Sequence, residues 1–256
     1  MNKKPVYKTW IRINRIIIFL LISISLVLIA VLPINSFIRI IAGIMSIPLL
    51  YTTFMIVYSY YQFSTFGGDF QSKIHNLIVE RIKTTENGTI LDIGTGSGAL
   101  IIKLAKTFVK GSFVGIDYWG NDWEYSKDIC ERNAKYEGVS ERIKFIKGSA
   151  SKLPFNDEEF NGIVSCLTFH EVKDEVDKIK VVKEALRVLK KGGEFVFLDL
   201  FHDEKIFGDN NKFFNDISSL ELEKVRFEKI ENVIELPYGL LNKKVLGNGV
   251  IISGRK

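Results

Sequence analysis

Cysteine is scarce: the 256 residues hold two, Cys130 and Cys166, at no metal-binding spacing. That excludes a disulfide scaffold and fits a reducing compartment. Only three histidines are present, and neither H-E-x-x-H nor C-x-x-C occurs, so no metal site is expected. Five prolines, no internal repeat and no low-complexity stretch leave a chain able to bury a full-sized core in one or two domains. The most informative gap is in charge. Residues 1–39 contain no acidic residue, against Lys3, Lys4, Lys8, Arg12, Arg15 and Arg39. The net charge of +5 comes from this end, because setting those six aside leaves 29 basic against 30 acidic residues. A basic protein invites a nucleic-acid partner, but a nearly neutral body offers no track for phosphates, and no nucleic acid is expected.

Charge is also missing from two long stretches. Ile16–Leu32 is 17 uncharged residues, and after Pro33-Ile34-Asn35-Ser36 a second run, Ile40–Tyr61, has 22. As helices they measure roughly 25 and 33 Å, against a bilayer core of about 30 Å. Ile11 and Ile13 extend the first while Arg12 and Arg15 snorkel, and Pro48 can kink the second. The reading is a two-helix transmembrane hairpin over residues 1–61. A signal peptide fits poorly, since the apolar stretch is long, lacks an A-x-A-like site and is followed by another span. A re-entrant or in-plane hairpin stays open. Five basic residues before the first span put the N-terminus in the cytoplasm, and two spans return the chain to that side. Trp10 and Tyr7, with Tyr58, Tyr60 and Tyr61 at the other cytoplasmic end, suit interfacial belts. The expectation is a multi-pass cell-membrane protein whose N-terminus and main domain are cytoplasmic.

Residues 62–69 read as a linker ending at Gly67-Gly68, and 70–256 as one domain. Phe70, Ile74, Leu77, Ile78 and Ile82 fall at helical spacing. Strands at Thr89–Ile93, Ser112–Asp117, Ile143–Lys147, Gly162–Cys166 and Glu194–Leu200 then alternate with helices at Ala99–Phe108, Trp123–Tyr136 and about Val176–Lys190. The last of these is expected to end on Gly192-Gly193 as a C-cap. The tail offers a helix near Lys212–Leu220 and apolar stretches at Ile230–Leu236 and Val250–Ser253. Such alternation means a doubly wound α/β fold, whose ligands bind beyond the C-terminal strand ends near the switch in strand order.

The first of those ends carries Asp92-Ile93-Gly94-Thr95-Gly96-Ser97-Gly98. Glycines here allow a tight turn and close ligand approach. A dinucleotide fingerprint would be G-x-G-x-x-G, whereas this loop is G-x-G-x-G with an acid two residues before its first glycine. An anion gains nothing from that carboxylate; a ligand bearing an ammonium and a sulfonium does. Asp117 ends the next strand, 19 residues after Gly98, placed to accept from both hydroxyls of a ribose. Asp117 as a simple helix cap is the plainer alternative.

With these residues the chain resembles the class I S-adenosylmethionine-dependent methyltransferases, of the kind found in ubiquinone and menaquinone biosynthesis. The similarity continues in Lys147–Phe155 (KGSASKLPF, like G-D-A-x-x-L-P-F), in Phe160–Ser165 (FNGIVS, like F-D-x-V-x-S) and in Glu184–Gly193 (EALRVLKKGG, like E-x-x-R-V-L-K-P-G-G). It covers roughly Gln71–Leu200. It implies a Rossmann-like, doubly wound seven-stranded sheet, six strands parallel and one antiparallel, the last near Val250–Ser253. It also implies S-adenosyl-L-methionine as cofactor. Gly94, Gly96 and Gly98 would line its methionine part, with Thr95 in the same loop and Asp92 beside it. Asp117 would take the ribose hydroxyls, and Tyr118 or Trp119 would pack on adenine. Ser149 and Ala150 would lie by the adenine edge, with Ser165 and Cys166 near the reactive methyl. Two departures stand out: Ser149 occupies a usual Asp position, which leaves the bond to the adenine amino group either weaker or supplied by the backbone, and Asn161 replaces a common Asp, a change read as structural and not functional.

Methyl transfer needs alignment and water exclusion, and a general base only where the acceptor loses a proton. Leu167-Thr168-Phe169-His170-Glu171 follows the fourth strand, and His170 has the intrinsic pKa of a base. It either moves a proton or only shapes the loop. His202-Asp203 is a second candidate near the acceptor, and His75 reads as structural. The N/D-P-P-Y/F signature of exocyclic-amine methylation and the Pro-Cys of cytosine methylation are both absent. The expectation is a membrane-anchored methyltransferase acting on a small, hydrophobic or lipid-like acceptor in or near the bilayer. Two rivals remain: a soluble acceptor with the anchor used only for localisation, and a non-catalytic cofactor-binding sensor.

Overall fold

The computed structural model describes residues 4–83, 87–120 and 124–256. The chain forms two units: one joins its start through Lys8 to Ile74–Lys256, and the other is Thr9–Lys73.

In the smaller unit the uncharged runs are helices α1 (Ile13–Val31) and α2 (Ser36–Phe63), longer at most ends than the runs themselves. Asn35 starts α2 by accepting the Phe37 N–H at 2.9 Å, supplying a partner for an otherwise free first-turn donor. The seam between the helices is built from small and polar residues. Ser23 and Thr53 hydroxyls meet at 2.9 Å, and Gly43 faces Ala30. The Arg39 Nε donates to the Ala30 carbonyl at 3.1 Å, satisfying an end of α1. The outer faces carry Ile17, Leu21, Ile40, Ile44, Ile47 and Phe54, all exposed. Both helices are long and apolar enough to cross a membrane.

The larger unit continues α3 (Phe70–Arg81), whose Ile74 and Ile78 are buried as the spacing requires. It then alternates β1 (Thr89–Ile93), α4 (Ala99–Thr107), β2 (Ser112–Asp117), α5 (Lys127–Tyr136), β3 (Ile143–Lys147), β4 (Phe160–Cys166), α6 (Lys178–Arg187) and β5 (Leu189–Asp199). Two short helices, α7 (Glu204–Phe207) and α8 (Asn210–Ser218), precede β6 (Glu223–Lys229) and β7 (Val250–Arg255). The sheet order is β3-β2-β1-β4-β5-β7-β6, with β7 antiparallel to both neighbours. Six strands therefore share one direction and the seventh opposes them. β1 and β4 are adjacent, so the strand order reverses between them beyond Ile93 and Cys166, the position at which such sheets bind ligands. Leu91, Ile93, Ile163, Phe169, Phe195 and Phe197 fill the core beneath it.

Two expectations need correction, and one strand falls where none was expected. The helix expected across Trp123–Tyr136 begins only at Lys127, because the Ser126 hydroxyl accepts the Ile129 N–H at 3.3 Å and caps it there; Trp123 lies outside the described residues. Gly192-Gly193 do not cap α6. That helix ends at Arg187, the Lys256 Nζ donates to its Leu186 and Arg187 carbonyls at 2.9 and 3.3 Å, and the glycines lie within β5. Strand β6 falls on Glu223–Lys229, a charged stretch with no simple apolar alternation, while Ile230–Leu236 begins with a 3-10 turn. As an edge strand β6 leaves most of its side chains in water, so its sequence carries little period-two signal.

Candidate functional site

The glycine loop leaves β1 at the strand-order switch. Gly94, Gly96 and Gly98 all have positive φ, at 77°, 57° and 82°, a region that side chains disfavour. The fit at Gly94 is tighter still, since a Cβ there would stand 1.9 Å from the Thr168 Oγ1. Gly94 and Thr95 donate their N–H groups to the Ile116 carbonyl at 2.8 and 3.1 Å, which folds the loop over the end of β2.

Two acids flank this loop. Asp92 is buried, and the Thr95 hydroxyl donates to it at 2.7 Å. Burial, with the neighbouring Asp117 charge, raises its pKa to about 7 despite that bond. Asp117 accepts the Gly96 N–H on one oxygen and the Trp119 N–H on the other, each at 2.8 Å. Burial raises its pKa too, against those backbone bonds. Each Asp117 oxygen retains acceptor capacity for a further donor. A buried carboxyl and a half-buried one beside a loop with glycine at every second position suit a ligand that carries positive charge and hydroxyl donors. They would repel a phosphate. S-adenosylmethionine fits that donor set, with a sulfonium and an ammonium for Asp92 and a diol for Asp117.

The remaining sequence candidates divide. Trp119, at φ 41°, donates its indole N–H to the Gly96 carbonyl at 3.0 Å, so it braces the loop, while Tyr118 is left exposed. The Gly148 N–H bonds the Asp117 carbonyl at 3.0 Å, which brings Ser149 and Ala150 to the same edge of the sheet. The Ser149 hydroxyl lies 2.9 Å from that of Ser151, which donates to Asp174 at 2.6 Å. A carboxylate therefore stands two hydrogen bonds away from the position where the resemblance calls for one. Ser165 is fully buried and donates to the Ile93 carbonyl at 3.0 Å; Thr168 bonds the same oxygen at 3.1 Å. These two hydroxyls tie β4 to β1, and Ser165 presents no surface of its own. Asn161 likewise has a structural tie, accepting the Thr89 N–H at 3.1 Å.

His170 stands on a 3-10 turn, Phe169–Glu171, directly after β4. Its Nδ1 is 2.6 Å from Asp199 Oδ1. Asp199, the last residue of β5, also accepts the N–H groups of Phe169 and Leu200 at 2.7 Å and of His170 at 3.3 Å. With three backbone N–H groups also directed at it, this carboxyl is the acceptor toward Nδ1, so the neutral imidazole would carry its proton on Nδ1 and its lone pair on Nε2. Burial acts to lower the His170 pKa, but the Asp199 and Glu171 carboxylates outweigh it and the net direction is upward. Sequence reasoning missed Asp199. The rule that selected Asp117, an acid at a C-terminal strand end, selects Asp199 equally when applied to β5. The other two histidines are different. His75 is buried on α3 and burial drops its pKa to about 3. His202 packs on Phe214 with rings 5.1 Å apart, and burial lowers its pKa.

Residues 91–197 match the family described as methyltransferase domain. Among curated proteins, the sterol 4-C-methyltransferase of Caenorhabditis elegans is 30% identical over 150 residues, covering 58% of this chain and 42% of that protein. The ubiquinone/menaquinone biosynthesis C-methyltransferase of Geotalea daltonii is 34% identical over 122 residues, or 47% of this chain and 49% of that one. The corresponding Rickettsia prowazekii protein is 36% identical over 144 residues, 52% and 54% of the two chains. The chain thus spans about half the length of the curated relatives it matches. Two solved structures share the fold over 72% of this chain. They are a geranyl diphosphate methyltransferase in complex with S-adenosylmethionine (TM-score 0.54, 14% identity, 84% of that chain) and the [4+2]-cyclase SpnF (TM-score 0.55, 18% identity, 80% of that chain). Sheet order, glycine loop and sequence match agree: residues 91–197 are similar to the methyltransferase-domain family, on a fold shared with a solved S-adenosylmethionine-bound methyltransferase.

Proposed function

We propose that this protein is a membrane-anchored methyltransferase that transfers a methyl group from S-adenosylmethionine to a small hydrophobic acceptor. The observation that carries the reading is the pairing of the Asp92–Asp117 glycine loop with a half-buried His170 held by the buried Asp199 on the same edge of the sheet. When bound, the cofactor supplies an activated methyl on a sulfonium, which leaves a neutral thioether after in-line displacement. Asp117 and the glycine loop hold and orient it, and Asp92 answers its positive charge. Asp199 keeps the His170 proton on Nδ1, so Nε2 accepts the proton that the acceptor sheds. Relatives named as sterol and quinone-biosynthesis methyltransferases support a hydrophobic acceptor.

The anchor is α1 and α2, whose outer faces leave exposed the apolar surface that a bilayer requires. Topology has support from hydrogen bonding as well as from charge. The Val6 N–H and carbonyl both bond the Asn133 side chain, at 2.8 and 2.9 Å, so the chain before α1 belongs to the same unit as the chain after α2. An even number of crossings satisfies that constraint. With Lys3, Lys4, Lys8, Arg12 and Arg15 before the first crossing, that side is the cytoplasm.

Incubation of reconstituted protein with methyl-labelled cofactor, membrane lipid extract and aqueous extract tests the reading. Label is expected in the lipid fraction, and lost with His170→Ala. Label confined to the aqueous fraction overturns the hydrophobic acceptor. Cofactor binding by calorimetry with no label in either fraction overturns the enzyme and favours a sensor.

A further inference from the structure

We propose that the connection between β6 and β7 is a second membrane contact, which lays Tyr238 and Leu241 in the headgroup layer of an anionic bilayer at the rim of the methyl-transfer site. The inference rests on the anchored reading above and adds where the bilayer meets the catalytic unit.

The topology fixes the edge. Lys229 ends β6 and Asp199 ends β5, and both pair with Val250 at the start of β7. Residues 230–249 therefore lie at the sheet edge that carries His170, Asp199 and the glycine loop. The His202 N–H, directly after β5, bonds the Asn248 carbonyl at 3.2 Å. The connection is anchored from beneath by buried Leu236, Leu240 and Leu246, while Tyr238 and Leu241, at the two ends of a 3-10 turn, lie at the surface. Tyr238 is 86% exposed and Leu241 36%. A tyrosine projecting from a pinned turn has no role in the core beneath it. Tyrosine is the side chain favoured at a membrane–water interface, where its ring is half in lipid and its hydroxyl stays wet.

The same edge collects other apolar side chains in water. Val176, between β4 and α6, is 88% exposed, and Tyr118, after β2, is 67% exposed. At the opposite edge the turn between α4 and β2 exposes Val109. Charge agrees for the turn itself. Tyr238–Lys244 (YGLLNKK) carries exposed Lys243 and Lys244 with no acid, while Glu231 and Glu235 sit in the earlier half of the connection. Lys8, the last residue of this unit before Thr9, lies at this edge as well. Lys8 pairs with Glu124 at 3.0 Å, and Glu124 adjoins Tyr125, whose ring would be 3.5 Å from a Cβ on Gly96. An acceptor dissolved in the bilayer would then reach Nε2 of His170 without crossing water.

Both native cysteines are buried, so single-cysteine reporters can be placed on the full chain. Tyr238→Cys and Val109→Cys, each carrying an environment-sensitive nitrobenzoxadiazole dye, would be reconstituted into phosphatidylcholine vesicles with and without phosphatidylglycerol. The expected result is a blue-shifted dye at position 238, quenched by doxyl-labelled lipid and more so in the anionic vesicles, with the dye at 109 remaining aqueous. Each lysine near an anionic surface favours contact about fivefold, so Lys243→Gln with Lys244→Gln should weaken the contact by about 25-fold. A dye at 238 as aqueous as that at 109, on protein that resists alkaline extraction, overturns the second contact and leaves the anchor standing. Protein released by alkaline extraction overturns the anchor, and this inference with it.

Discussion

Asp199→Asn tests the site most directly, because the substitution changes one atom and four hydrogen bonds depend on it. Oδ1 accepts from His170 Nδ1 and the Leu200 N–H, and Oδ2 from the N–H groups of Phe169 and His170. The amide of Asn can be seated in two ways. With its NH2 on the Oδ1 side, it faces the Leu200 donor and forces Nδ1 to accept, moving the ring proton to Nε2 and removing the base. With its NH2 on the Oδ2 side, it confronts the Phe169 N–H, whose bond was 2.7 Å. Either seating strands a buried donor at a cost of about 1–3 kcal/mol. At roughly 2–4 °C per kcal/mol for a domain of this size, the melting temperature should fall by several degrees.

The charge is lost as well. Burial, which lowers the His170 pKa, would no longer be outweighed by Asp199, so that pKa should fall from its raised value. The stability contributed by the pair is fully present below the ordinary imidazole pKa and disappears as pH rises through the raised one. The gap between wild type and variant should therefore narrow at alkaline pH. Methyl transfer should drop by about 10²–10⁴ if His170 is the base, with the acid limb of the pH profile displaced to lower pH. Histidine-selective NMR reads the titration without knowledge of the acceptor. The protein has three histidines; His75 and His202 titrate below the usual value and His170 above it. If the highest-titrating histidine keeps its pKa in Asp199→Asn, the coupling inferred here is wrong.

Three further outcomes follow from the cofactor loop. Asp117→Ala removes the acceptor for the Gly96 and Trp119 N–H groups as well as for the ribose, so calorimetry with S-adenosylhomocysteine should show binding weakened about 10- to 100-fold; unchanged affinity would place the ribose elsewhere. Gly94→Ala drives a Cβ into Thr168 at a φ of 77° and should destabilise the unit by about 2–5 kcal/mol, from left-handed strain plus overpacking; an unchanged unfolding midpoint would refute the close fit. Asp92 has a folded pKa raised to about 7, so the free protein should lose stability as pH rises from the ordinary carboxyl range through that value. Binding of the cationic cofactor should strengthen over the upper part of the same range, more than binding of the neutral thioether product. Equal pH dependence of the two affinities would count against Asp92 as the partner of the positive charge.

Much of this molecule is determined locally and can be read along the chain. The two apolar helices follow from runs too long and too free of charge for a water-soluble surface. The glycine loop follows from backbone angles that only glycine adopts without strain, and β1 to β5 from short apolar runs between helical periods. Charge segregation at the N-terminus is also a property of sequence alone. What the tertiary structure decided depends on groups distant in sequence meeting in space. Asp199 is 29 residues from His170 and becomes its partner because β4 and β5 are parallel neighbours whose ends coincide. Lys256 terminates α6 in place of Gly192-Gly193 because β7 returns antiparallel beside β5 and delivers the chain end to that helix. Ser165 faces inward because its hydroxyl satisfies a β1 carbonyl, a demand set by strand pairing and not by the neighbours of Ser165 in sequence. Local propensity and periodicity are written in consecutive residues; hydrogen-bond satisfaction in a buried interior is a sum over the whole fold.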